Sequence, residues 1–149
     1  MGEKRGHHNN GPYSPVTNET YKDACGACHF PYQPWLLPSG SWRKLLSSIK
    51  DHFGQTVDLE AESKRVIEIN LADNAAEKSH MKKARKIVRS LKGDTPLRIT
   101  EVPCIRRKHR DIPPEVFTRK AVGSLSNCSA CHKTADQGIY DDDYVTIPQ

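Results

Sequence analysis

Two pentapeptides, Cys25-Gly-Ala-Cys28-His29 and Cys128-Ser-Ala-Cys131-His132, hold the residues of this chain best suited to chemistry. In each, two thiols separated by two residues can add across the two vinyl groups of one porphyrin. The histidine directly after the second thiol is then set against one face of the iron. Both patterns read as covalent attachment sites for a c-type haem. The chain is expected to carry two haem c groups, held by Cys25, Cys28, Cys128 and Cys131, with His29 and His132 as iron ligands.

Two other chemistries use the same thiol spacing. Paired Cys-x-x-Cys motifs can build a four-thiolate zinc site, but zinc does not need a histidine after each pair. A thioredoxin-type redox pair sits at a strand-to-helix junction. Here the polar run from Asn18 to Ala24 leads into Cys25, and no strand-rich segment precedes it.

An iron held on one side by histidine needs a sixth ligand or an open site. Past His29, His52 is the only histidine before residue 79, and His109 the only one between residue 80 and the second motif. The pairs His29 with His52 and His109 with His132 are the expected axial sets. Met81 is a rival sixth ligand, because methionine serves some cytochromes c and raises the potential relative to a second histidine.

These ligands must be positioned by short helices. Ser39 or Ser41 can cap a helix on which Trp42, Leu45, Leu46, Ile49 and Phe53 recur at helical spacing until Gly54 stops it. That helix would carry His52 on its apolar stripe, with Trp42 and Phe53 packed on haem 1. A second helix is expected from about Leu59 to Ala72, burying Leu59, Val66, Ile67 and the run Ile69 to Leu71. A third, from near Ser79 to Leu91, carries with its flanks Lys78, Lys82, Lys83, Arg85, Lys86, Arg89 and Lys92 and no acid among them, a basic face able to steer an acidic redox partner. A short helix from Glu115 to Val122 would wall haem 2 with Val116, Phe117 and Val122. Between the first motif and these helices, Phe30 to Pro38 is an aromatic, proline-stiffened loop expected to lie over the haem face.

The chain has 149 residues, 36% of them hydrophobic, ten prolines and a formal net charge of +5; its mean hydropathy is −0.72. That is room for one modest domain or two small ones with a thin core. Haem would then supply apolar plates for the helices, as metals and disulfides do in other small scaffolds. The expected division is a flexible lead over 1–18, which includes His7 and His8, a first haem domain over 19–92 and a second over 93–149. No stretch approaches the roughly twenty apolar residues of a spanning helix, so a soluble protein is expected. Met1 to Asn10 lacks the apolar segment of an export signal. Since haem is attached to such motifs outside the bacterial cytoplasmic membrane, the periplasm is the expected location of a mature form. No zinc-finger or aromatic RNA-binding signature accompanies the basic charge, which argues against nucleic acid as a partner. Cys104, left over from the two motifs, reads as a buried small hydrophobe, with an exposed thiol able to link two chains as the alternative. Asp141 to Asp143 reads as a solvated tail.

Several longer segments together carry a resemblance: Tyr21-Lys-Asp-Ala-Cys-Gly-Ala-Cys-His-Phe-Pro-Tyr32, Leu37-Pro-Ser-Gly-Ser-Trp42, Asp51-His-Phe-Gly54, Pro96-Leu-Arg-Ile-Thr-Glu101, Arg107-Lys-His-Arg-Asp-Ile-Pro113 and Asn127-Cys-Ser-Ala-Cys-His132. The chain resembles the dihaem cytochrome c family of proteobacteria over most of the span from Tyr21 to His132. The resemblance implies a mainly α fold with two small haem-binding lobes, the first similar to small class I cytochromes c and the second with little regular structure. It also implies histidine on both faces of each iron, the ligand positions falling on His29, His52, His109 and His132. The implied role is electron delivery between a membrane cytochrome b and a small oxygen-binding monohaem cytochrome c. One departure is Cys104, where a bulky aromatic is expected before the basic cluster.

With two protein ligands on each iron no position is open to a substrate, so the expectation is an electron carrier and not an enzyme. The alternative is a dihaem cytochrome c peroxidase-like enzyme with one open haem.

Overall fold

The structure, a computed structural model, describes residues 16–149. The expected flexible lead therefore lies, over 1–15 and with His7 and His8, outside the described residues. Val16 packs on the core and Asn18 caps the first helix.

The fold is mainly helical and has no named strands among the described residues. The helices are α1 (Glu19–Cys25), α2 (Ser39–Ser47), α3 (Ala61–Asp73), α4 (Lys82–Leu91), α5 (Pro103–His109) and α6 (Pro114–Thr118), joined by short 3-10 turns. One core gathers the apolar faces of α1 to α4, with partly buried residues of α5 packed against it. Tyr21 of α1, Trp42 and Leu46 of α2, Ile67 and Leu71 of α3, and Ala84, Ile87 and Leu91 of α4 are all buried, together with Val102 ahead of α5. α2 and α1 pack on α3, and α5 packs on α4. Ile67 is fully buried at this junction. Ile67→Ala removes apolar contact and leaves a cavity, and is expected to cost about 2–5 kcal/mol in denaturant unfolding.

Several sequence expectations are corrected. α2 ends at Ser47, so His52 is not on that helix. Ser47 and Ser48 turn their hydroxyls back to the Lys44 carbonyl, local bonds that compete with helix continuation. A 3-10 turn over Ile49–Asp51 follows. Ile69, expected buried, is 56% exposed, because only Ile67 and Leu71, four apart, face inward from α3. α4 begins at Lys82, three residues later than expected, and α6 stops at Thr118, well short of Val122.

Two segments expected to be loop or tail are part of the packed body. Gln33 to Pro38 is buried throughout, with a 3-10 turn at Pro34–Leu36. The Trp42 indole N–H donates to the Pro34 carbonyl at 2.9 Å. The C-terminal acidic run is tied down as well. Asp141 pairs with Lys83 at 2.5 Å, the Thr146 N–H donates to the Cys131 carbonyl at 2.9 Å, and Arg119 donates to the Pro148 carbonyl at 2.7 Å.

Candidate haem sites

The first motif closes α1. The Asn18 side chain accepts from the Tyr21 N–H at 2.9 Å, satisfying a donor of the first turn. Cys25 ends the helix and Gly26 donates to the Lys22 carbonyl at 2.8 Å. A Cβ on Gly26 would lie 2.3 Å from that carbonyl oxygen, so this position requires glycine. His29 then leaves the helix with its ring exposed.

His52 is brought opposite His29 by a tight turn. Its N–H donates to the Gln55 carbonyl at 2.7 Å, and Gln55 returns the bond at 3.0 Å. The two residues between, Phe53 and Gly54, have φ of 51° and 86°. Positive φ at both central positions is the mark of a type I′ turn, which is unusual for a residue as bulky as phenylalanine. The Asp51 carboxylate accepts from the Gly54 N–H at 3.1 Å, and the Arg98 guanidinium lies 4.1 Å over the Phe53 ring. Phe53 is 45% exposed, while Trp42, its expected companion against haem 1, sits in the core.

The second motif forms a 3-10 turn at Cys128–Ala130, after which the His132 N–H donates to the Cys128 carbonyl at 2.9 Å. His132 forms an isolated antiparallel bridge with Val145, so the C-terminal segment holds its backbone. His109 comes from the last turn of α5, which starts on Pro103 at a position where the missing N–H is not needed.

The structure brings together the histidine pairs that the sequence suggests. The rings of His29 and His52 are 6.2 Å apart with planes inclined by 25°. Those of His109 and His132 are 6.0 Å apart, inclined by 69°. Two imidazoles that bind one ion from opposite sides through bonds of about 2 Å have ring centres roughly 6 Å apart. Each pair thus leaves the gap that a haem iron would fill. Two further features fit. The Nδ1 atoms of His29 and His109 face the carbonyls of Phe30 at 2.8 Å and Ile105 at 2.7 Å. A carbonyl only accepts, so Nδ1 carries the proton in both and Nε2 keeps its lone pair for a metal. Among the described residues the Nδ1 of His52 is buried without a hydrogen-bond partner, so no protein group holds this imidazole away from a ligand.

Burial, then the neighbouring His29 and Arg98, pushes the His52 imidazole below its ordinary range. Burial, then His109 and Lys83, does the same for His132 against an opposing effect of Asp142. Both shifts favour the neutral form, the one that binds metal. Burial pushes the Cys25 and Cys128 thiols up to about 11, the reverse of a thioredoxin-type pair, whose nucleophile is a stabilised thiolate. Among the described residues no three Cys, His, Asp or Glu side chains are grouped to hold a bare metal ion. The four-thiolate zinc arrangement is therefore not assembled. Met81, the rival ligand, is 3% exposed within the apolar core. Cys104 is half-buried against that core, in keeping with a small hydrophobe.

The Tyr32–Trp35 segment, expected from the sequence to be a loop over a haem, joins the two sites. The Tyr32 ring lies 5.3 Å from His29, and its hydroxyl donates to the Ser126 carbonyl at 2.6 Å, two residues before Cys128. Fully buried Gln33 donates to the Ala135 carbonyl at 2.5 Å and accepts from the Tyr140 hydroxyl. Tyr140 in turn stands 5.3 Å from His132 and 5.9 Å from Trp35. Glutamine between two prolines gives no pattern that foretells a partner about a hundred residues away. Tyr32→Phe is expected to leave the visible spectrum unchanged and to lower stability by about 0.5–1.5 kcal/mol in denaturant unfolding.

A profile of the dihaem cytochrome c family matches residues 21–140. Among solved structures, the diheme cytochrome c from Rhodobacter sphaeroides is 40% identical with a TM-score of 0.75, over 85% of this chain and 98% of that one. The diheme c-type cytochrome from Shewanella baltica OS155 is 35% identical with a TM-score of 0.73, over 88% of this chain and 93% of that one. No curated protein matched.

Proposed function

The chain belongs to the dihaem cytochrome c family, and from that premise we propose that it carries electrons through two covalently bound haem c groups, each held between two histidines. The observation that carries this reading is the pair of facing imidazole sets at 6.2 and 6.0 Å. Cys25 and Cys28 anchor the first group between His29 and His52. Cys128 and Cys131 anchor the second between His132 and His109. Bound there, each haem supplies one-electron chemistry at its iron.

The protein's own residues hold the ligands and close both faces. His29 and His109 are fixed by their backbone carbonyl bonds, His52 by the I′ turn, and His132 by the bridge to Val145. Two nitrogen donors per iron leave no coordination position for a substrate and keep potentials low relative to histidine–methionine centres. The protein is accordingly a carrier and not an enzyme. In this reading residues 19–92 and 93–149 form the two haem lobes, and the protein works in the periplasm between a membrane cytochrome b and an oxygen-binding monohaem cytochrome c. No helix among the described residues is long and apolar enough to cross a membrane.

The test is a visible and near-infrared spectrum of the holoprotein with carbon monoxide titration of its reduced form. The expected result is two haems per chain, no methionine–iron charge-transfer band and no carbon monoxide uptake. Rapid stoichiometric uptake at one iron would instead assign the peroxidase-like alternative.

A further inference from the structure

Charge is strongly segregated along this chain. Residues 51–77 hold seven acids and two bases, whereas residues 78–110 hold twelve bases and two acids. The bias carries over to the exposed chain flanking the two histidine pairs, with Arg98 beside His52 and Asp111, Asp141 and Asp142 around the second pair as the exceptions. Asp51, Asp58, Glu60 and Glu62 follow or flank His52 in exposed positions. Arg106, Arg107, Lys108 and Arg110, also exposed, flank His109.

The second set does not stand alone, because α5 packs against α4. On α4 the residues Lys82, Arg85, Lys86 and Arg89 recur at three- and four-residue intervals and are exposed, which makes one continuous cationic stripe. Among the described residues none of these eight cations is in an ion pair; Lys83 alone on α4 has one, with Asp141. Unpaired cations of this density keep a strong positive potential over the surface beside His109.

We propose that the α4–α5 surface is the docking site of an acidic redox protein, which exchanges electrons with the haem between His109 and His132. This rests on the electron-carrier reading above and adds the port and the partner's chemistry. The acids around His52 repel such a partner from the other haem, so the charge pattern selects the end as well as the sign. A membrane surface is the poorer occupant. Interfacial helices insert an apolar face, and the apolar face of α4, made by Ala84, Ile87 and Leu91, is buried in the core.

The test compares the oxidised holoprotein with its Lys82→Glu/Lys86→Glu/Arg89→Glu variant, all three positions lying away from the haem ligands. Each is reduced in stopped flow by a reduced plant-type ferredoxin, an acidic electron-transfer protein, and in parallel by photogenerated lumiflavin semiquinone, which is uncharged at neutral pH. At low ionic strength the second-order rate with ferredoxin is expected to fall at least about tenfold in the variant and to lose most of its salt dependence. The lumiflavin rate and the visible spectrum are expected to stay the same. An Asp58→Lys/Glu60→Lys/Glu62→Lys variant is expected not to slow the ferredoxin reaction. Equal ferredoxin rates and salt slopes in wild type and the α4 variant would overturn the proposal. So would loss of binding to anionic phospholipid vesicles in that variant with an unaltered ferredoxin rate, which assigns the surface to a membrane. Failure of the carrier reading is distinguished by carbon monoxide: stoichiometric uptake by the reduced wild-type protein would end that reading whatever the ferredoxin rates.

Discussion

Replacing His109 by alanine is expected to open one iron of the two. The wild-type reduced protein is expected to take up no carbon monoxide and the His109→Ala variant one per chain, with the visible spectrum of half the haem changing accordingly. The expectation comes from the pairing of His109 with His132 across 6.0 Å. Among the described residues, no methionine stands ready to take the vacated position, because Met81 is closed in the core. His52→Ala is expected to do the same at the other site, independently, since the two pairs share no ligand. If neither variant changes the spectrum, the assignment of ligands is wrong. The two replacements differ in how the lost ring was held. His109 is bonded through Nδ1 to Ile105 one turn earlier in its own helix, whereas His52 depends on the Phe53–Gly54 turn and has no such bond.

The second large effect concerns folding. The buried apolar side chains of residues 113–149 are Val116, Val122, Ala130 and Ala135, all of them small. Ordering a backbone costs about 1–2 kcal/mol per residue, and four such side chains cannot offset that for a segment of this length. Hydrogen bonds from Tyr32 and Gln33 and the packing of Tyr140 on the core help to hold the segment, and in the two-haem reading the porphyrin supplies the further apolar contact it needs. A Cys128→Ser/Cys131→Ser variant is therefore expected to carry one haem per chain. Its amides over 113–149 are expected to exchange rapidly with solvent while α2, α3 and α4 remain protected. The measurement is hydrogen exchange read by mass spectrometry alongside a haem stoichiometry. Undiminished protection over 113–149 would show that this lobe folds on protein contacts alone.

What the sequence by itself determined here is chemical and local. The haem motifs, the thin apolar content and the scarcity of histidine each depend on residue identity and short spacing, and from them two haems and a short list of candidate ligands follow. The helical stripe through Leu45 and Leu46 and the basic run of α4 were also legible, because a helix places residues three and four apart on one face. Only the tertiary structure decided the rest. His52 lies beyond the end of α2, since serine hydroxyls and a I′ turn at Phe53–Gly54 override the apolar periodicity that runs through it. Ile69 faces solvent, although it is as apolar as Ile67 and Leu71, because α3 meets the core along only one line. Gln33 meets Tyr140, and Asp141 meets Lys83, across separations of 107 and 58 residues. Contacts of that range are set by how the helices pack, and no local pattern encodes them.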